Sequence, residues 1–102
     1  MAGIRYSVRA ERDITMIAEY TLNQWGEEQA FRYLDSLEAC CQLLEASPSI
    51  GRLCDHIRPG LRRIEHGKHV VFFREDTEGI LVLRILHHSV LPGRQPMEDG
   101  EV

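Results

Sequence analysis

Five histidines, three cysteines and twelve basic residues carry most of the reactive chemistry open to this 102-residue chain. Eleven of the basic residues are Arg, and Lys68 is the single lysine. Arginine offers a rigid, permanently charged fork suited to carboxylates and phosphates, but its very high pKa makes it a poor proton carrier. The imidazoles of His66, His69, His87 and His88 are the groups that exchange protons near neutrality. Cys54-Asp55-His56 and these four histidines are possible metal donors, yet none has the repeated paired spacing of a zinc site. No metal and no cofactor is therefore expected. Cys40, Cys41 and Cys54 are odd in number, and adjacent Cys40 and Cys41 point apart on a helix, so reduced, packed thiols are expected.

The formal net charge of −4 argues against free nucleic acid as the main partner. That average hides a division along the chain. Residues 1–47 hold four basic and eight acidic side chains, residues 48–97 eight basic and five acidic, and residues 98–102 three acidic ones. An acidic half thus precedes a basic, Arg-rich half that could receive an acidic partner segment. Hydrophobic residues at 43% and charged residues at 27% describe one ordinary globular domain over residues 1–102. No apolar run is long enough to span a membrane and no signal-peptide pattern follows Met1, so a cytoplasmic protein is expected.

The elements that must position these groups follow from periodicity. Ile4, Tyr6 and Val8 alternate with polar residues as in a half-buried strand. From about Ala10, residues Ile14, Ile17, Ala18, Leu22 and Trp25 recur at helical spacing, and Gly26 supplies a stop. Glu27 and Glu28 favour the start of a second helix, whose stripe runs Ala30, Tyr33, Leu34, Leu37, Cys41 and Leu44. So short a turn makes the two helices an antiparallel hairpin. Residues 47–60 read as a connecting loop. Three strands follow, roughly Leu61 to His66, His69 to Glu75 and Ile80 to His88, with turns short enough for an antiparallel meander. The predicted fold is α+β, in the order β-α-α-β-β-β, with an irregular tail over about 89–102.

Parity in the last strand puts Leu81, Leu83 and Ile85 on one face and Ile80, Val82, Arg84 and Leu86 on the other. With the hairpin over the first face, Arg84 stands on the opposite, more open one. An Arg among aliphatic residues needs an acidic partner or a phosphate. An internal salt bridge, to Asp55 or Glu65, and a binding role are both open.

Four segments resemble ParE-type toxins. Trp25-Gly26-Glu27-Glu28-Gln29-Ala30 is similar to their WGxxQA turn, and Pro48-Ser49-Ile50-Gly51-Arg52 to their PxxGR loop. Leu61-Arg62 through Gly67-Lys68-His69-Val70-Val71-Phe72-Phe73-Arg74 resembles their LR…GxHxxFYR strands, and Arg84-Ile85-Leu86-His87 their RILH strand. The similarity runs from about residue 5 to residue 92. It implies the RelE/ParE superfamily of type II toxin–antitoxin systems, small bacterial proteins with a helical hairpin on an antiparallel sheet.

Two activities share that fold, and fold alone does not choose between them. RelE-type toxins cleave messenger RNA on the ribosome; ParE-type toxins inhibit DNA gyrase; both are neutralised by an antitoxin. Cleavage needs a proton acceptor, stabilising charge and an acid. Arg62, Arg63 and Arg84 could supply the charge, but the lysines and C-terminal Tyr usual in RelE-like sites are missing, leaving His66, His69, His87 or His88 as substitutes. The expected function is a non-enzymatic, ParE-like gyrase inhibitor without catalytic residues, held by a ParD-like antitoxin. The alternatives are a RelE-like mRNA endonuclease, or a toxin fold that binds its antitoxin without toxicity. The antitoxin surface is expected at Trp25, Tyr33, Leu37, Arg58, Arg62, Arg63 and Arg74, an apolar groove flanked by arginines. The resemblance places target contacts at the end of the last strand and in the tail, here Arg84, His87, His88 and Arg94.

Overall fold

In the computed structural model, residues 3–90 are described. A short strand, β1 (Gly3–Tyr6), leads into α1 (Val8–Trp25) and α2 (Glu27–Ala46). A single 3-10 turn at Pro48–Ile50 precedes β2 (Arg52–Leu53), and β3 (Arg62–His66), β4 (His69–Asp76) and β5 (Gly79–His87) complete the sheet. The strand order is β1-β5-β4-β3-β2.

The hairpin and the β3–β4–β5 meander form as periodicity predicts, but the sheet is larger and mixed. β1 pairs parallel with β5, Ile4 opposite Ile80 and Tyr6 opposite Val82. The predicted loop also contributes β2, which pairs antiparallel with β3. Gly79 makes the β1 pairing possible. Its φ is +116°, and a Cβ there would collide with the Gly3 carbonyl oxygen, so only glycine lets the two backbones meet.

Val8, expected in the first strand, begins the helix instead, because Ser7 turns the chain. Its hydroxyl accepts the Ala10 N–H at 3.0 Å as an N-cap and donates to the Leu83 carbonyl at 2.8 Å. Its own N–H donates to the Val82 carbonyl at 2.9 Å. The residue that starts α1 therefore also bolts it to β5.

The sheet is buried on both sides. Towards the helices, Ala10, Ile17, Leu37, Cys41 and Leu44 pack on Val71, Phe73, Ile80, Val82 and Ile85. On the other side Phe72, Leu81, Leu83 and Leu86 pack with Cys54 and Leu61 from the β2–β3 connection. A β-bulge separates the pairs Phe73–Val82 and Phe72–Arg84, leaving Leu83 without an opposite residue. The extra residue resets the alternation, so Val82 and Ile85 both face the helices while Leu83 and Leu86 face away. The expected grouping of Leu83 with Ile85 is thereby corrected.

All three cysteines are free and buried. Burial raises each thiol above its ordinary pKa, Cys41 to about 11, so they pack as weak hydrophobes rather than as reactive thiolates.

Candidate functional site

The imidazoles converge at one end of the sheet. The tight β3–β4 turn brings His66 opposite His69, and the meander places His87 opposite His69 on the next strand. Gly67 in that turn has φ +56°, and a Cβ there would come within 2.9 Å of the Tyr33 ring. The glycine thus lets the turn close under α2. Tyr33 reaches down from α2, its hydroxyl 2.5 Å from His69 Nδ1 and accepting the Lys68 backbone N–H at 3.3 Å. Ser36, one turn further on, lies 3.0 Å from His66 Nε2.

The rings themselves are in contact. His69 and His87 meet edge-on with centroids 5.7 Å apart, and His88 stacks on His87 at 4.4 Å. His88 is held there by its N–H bond to the Lys68 carbonyl, 2.9 Å. Ser89 bonds His87 Nδ1 through its hydroxyl at 2.7 Å and its backbone N–H at 3.2 Å. Partial burial lowers the pKa of His69, and the neighbouring imidazoles push it in the same direction. Among the described residues no group of three or more His, Cys, Asp and Glu side chains is arranged to hold a metal ion.

Arg84 lies opposite Phe72, on the side of the sheet away from the helices as expected, but it is largely buried and its partner is neither Asp55 nor Glu65. Its Nε and Nη2 donate to the two carboxylate oxygens of Asp13 at 2.8 and 2.9 Å, and Asp13 Oδ2 also accepts the Ile85 N–H at 2.9 Å. β1 stops pairing at Val82, so the β5 edge beyond it is completed by a helix side chain. Asp13 was legible as an acid on the apolar stripe of α1, flanked by Ala10, Ile14 and Ile17. That signal singles out a buried acid in need of a cation.

The arginines expected to form one antitoxin surface divide between the two sides of the sheet. Arg62 lies opposite Phe73 of the helix-side core and donates to the Gly51 carbonyl at 2.7 Å. Arg63 lies opposite Phe72 on the other side, where it and Arg52 share Glu65 at 3.1 and 2.7 Å. Those hydrogen bonds and charges hold the Glu65 carboxyl below its ordinary pKa. Arg74 and Arg5 share Asp76 at 3.1 and 2.7 Å. Arg58 lies in the β2–β3 connection, partly exposed.

The apolar candidates divide as well. Leu37 is 3% exposed and belongs to the core, whereas Trp25 is 66% exposed at the end of α1 and Phe31, in the second turn of α2, is 74% exposed. Tyr33 belongs to the histidine cluster rather than to a groove with those two. His87 and His88 lie together on the surface; Arg94 is outside the described residues.

A helical hairpin laid on one face of a small mixed sheet defines the class of protein, a RelE/ParE-type toxin fold. A solved structure described as a chromosomal ParDE TA system from P. aeruginosa shares it: TM-score 0.73 at 21% identity, over 85% of this chain and 96% of that one. The family model described as "ParE toxin of type II toxin-antitoxin system, parDE" matches residues 4–92. The chain belongs to that family, the toxins of type II toxin–antitoxin systems. It is 40% identical to Toxin ParE1 of Mycobacterium tuberculosis over 82% of its length and 87% of the relative's. Toxin ParE1 of Caulobacter vibrioides is 36% identical over 88% and 93%, and Toxin ParE of Escherichia coli 31% identical over 88% of each.

Proposed function

We propose that this toxin acts on DNA gyrase by binding rather than by catalysis, and that a ParD-like antitoxin holds it inactive in the cytoplasm. The observation that carries this reading is the similarity to ParE toxins along nearly the whole chain. The role of Arg84 supports it. An arginine spent on a buried carboxylate and a strand edge is not aimed at a phosphate in reaction.

The proposed antitoxin surface combines exposed apolar side chains on the hairpin, Trp25 and Phe31, with Arg62, Arg63 and Arg74 on the sheet and Arg58 in the β2–β3 connection. An antitoxin that reaches both must wrap the molecule rather than fill one groove. Tyr33 and Leu37 contribute from beneath, by holding α2 in place. The proposed target surface is the sheet end with His87 and His88, together with Arg94, which lies outside the described residues, and Arg84 positions the strand that carries it.

Expression without antitoxin should give filamentous cells with damaged DNA, and the purified chain should inhibit supercoiling by gyrase. Rapid arrest of translation with cleaved messages and normal supercoiling would overturn this in favour of a ribonuclease. That second reading draws on one observation, the contact between Tyr33 and His69, which joins a proton acceptor to a hydroxyl. A chain with no toxicity would support a toxin fold that only binds its antitoxin.

A further inference from the structure

Two arginines face each other across the β2 margin of the sheet. Arg52 of β2 stands directly opposite Arg63 of β3, an arrangement of like charges that weakens a strand pair unless an anion lies between them. Glu65, two residues along β3 and so on the same face, supplies that anion. Its Oε1 accepts from Arg52 Nη2 at 2.7 Å and from Arg63 Nη2 at 3.1 Å. Both guanidinium charges also lower the pKa of the Cys54 thiol, against the effect of its burial. The two cations therefore converge on one place.

One carboxylate serves two cations here, which is not so elsewhere in the sheet. Arg5 and Arg74 have two carboxylates between them, Asp76 bonded by both and Glu78 by Arg5. Asp55, the acid of the β2–β3 connection, accepts the Gly60 N–H at 2.9 Å instead of joining Arg52 and Arg63. Each of these two arginines donates a single N–H of its fork among the described residues, so most of both forks is unspent. Arg52 is also 70% exposed, on the last strand of its margin. Arg62, by contrast, is turned to the Gly51 carbonyl.

We propose that Arg52 and Arg63 form a clamp for an acidic side chain of the antitoxin, and that Glu65 is an internal stand-in which that side chain displaces. The occupant the clamp already holds is a carboxylate, and planar forks of this kind suit a planar carboxylate from the partner equally well. A nucleic-acid phosphate is the poorer candidate, because it would have to approach a chain of net charge −4. The inference rests on the reading that an antitoxin covers the sheet. It narrows that reading to one pair of residues, adds Arg52 to the surface, and makes Glu65 a residue that limits affinity.

Calorimetry of the full chain with the full-length antitoxin encoded beside it tests the clamp. Arg52→Gln and Arg63→Gln should each weaken binding about threefold to tenfold. Glu65→Gln should tighten it about twofold to fivefold, by removing the internal competitor. The same change leaves the opposed arginines unscreened and should lower the melting temperature. Lower stability with higher affinity is a combination that a merely structural Glu65 would not produce. Arginine variants that bind undiminished would overturn the clamp, and a Glu65→Gln chain that binds no tighter would overturn the displacement. The carboxylate chemistry is read separately by NMR, following the arginine Nε–H signals while poly-L-glutamate or a short DNA duplex is added. Saturable shifts confined to Arg52 and Arg63 are expected with poly-L-glutamate. Unmoved signals would overturn the site, and stronger shifts with the duplex would overturn its assignment to a carboxylate. A chain that binds poly-L-glutamate at this pair but not the antitoxin would overturn the antitoxin reading instead.

Discussion

Asp13 and Arg84, 71 residues apart, form a two-point ion pair that also completes the open edge of β5, with side chains only 10% and 13% exposed. Asp13→Ala would strand a buried guanidinium and the Ile85 N–H together. A loss of about 3–5 kcal/mol in unfolding free energy is expected, read by urea denaturation. Asp13→Asn keeps an acceptor for Ile85 and should cost less. Equal losses in the two variants would show that the backbone bond contributes nothing.

Gly79 and Gly3 should tolerate no side chain between them. Gly79→Ala places a Cβ against the β1 carbonyl in a left-handed backbone conformation. The expected loss is about 1–3 kcal/mol or more, with faster amide exchange in β1 than elsewhere in the sheet. Protection of β1 equal to wild type would contradict the parallel pairing.

Stability should fall as the solution is acidified below the ordinary imidazole range. Burial disfavours charged His69 in the folded state, and His66, His87 and His88 oppose its charging further. The unfolded chain, with an ordinary pKa near 6.5, then binds its proton first. The contribution of His69 is complete above that value and is lost as pH falls through the lower folded-state pKa. An NMR titration should find His69 titrating below the ordinary imidazole value, and a His69 midpoint at or above that value would refute it.

Antitoxin affinity should depend on Arg63. Arg63→Glu reverses a charge beside Glu65 and should weaken binding, with the larger effect at low salt, where attraction is least screened. Calorimetry at two salt concentrations checks this. An unchanged affinity would move the antitoxin to the hairpin alone.

Tyr33→Phe should cost about 1–2 kcal/mol, because it leaves His69 Nδ1 and the Lys68 N–H without their shared hydroxyl. Thermal unfolding measures it. An unchanged melting temperature would make that hydroxyl a spectator.

Much of this architecture was legible because helices and hairpins are local. The stripe from Ala30 to Leu44 and the Gly67-Lys68 turn are written in consecutive residues, and the structure follows them. What stayed hidden is non-local. Nothing within Gly3–Tyr6 says that its neighbour is β5, and two residues, Arg52 and Leu53, are too few to show a period. The bulge at Leu83 has no signature of its own, yet it reverses the parity along β5, so that Ile80 and Val82 rather than Leu81 and Leu83 share the helix side with Ile85. Tyr33 counted as apolar because it falls on the helical stripe, while its ring and hydroxyl both meet the histidines. The clustering of His66, His69, His87 and His88 follows from the meander, since paired strands bring their ends together.

The cap on α1 has a consequence for the order in which the chain can acquire its shape. Ser7 anchors the helix to the Val82 and Leu83 carbonyls, β1 pairs with residues 79–82, and Asp13 finds its cation at residue 84. Each tie runs from the beginning of the chain to its last strand. During synthesis from the N-terminus, the hairpin emerges long before anything exists to which it can be fastened. Ile80, Val82 and Ile85, a large part of the face on which it packs, are missing until β5 has left the ribosome. A nascent chain stopped before residue 79 could still dock α2 on the β3–β4 turn through Tyr33 and Ser36, but it would lack the partner strand of β1, both Ser7 acceptors and the cation of Asp13.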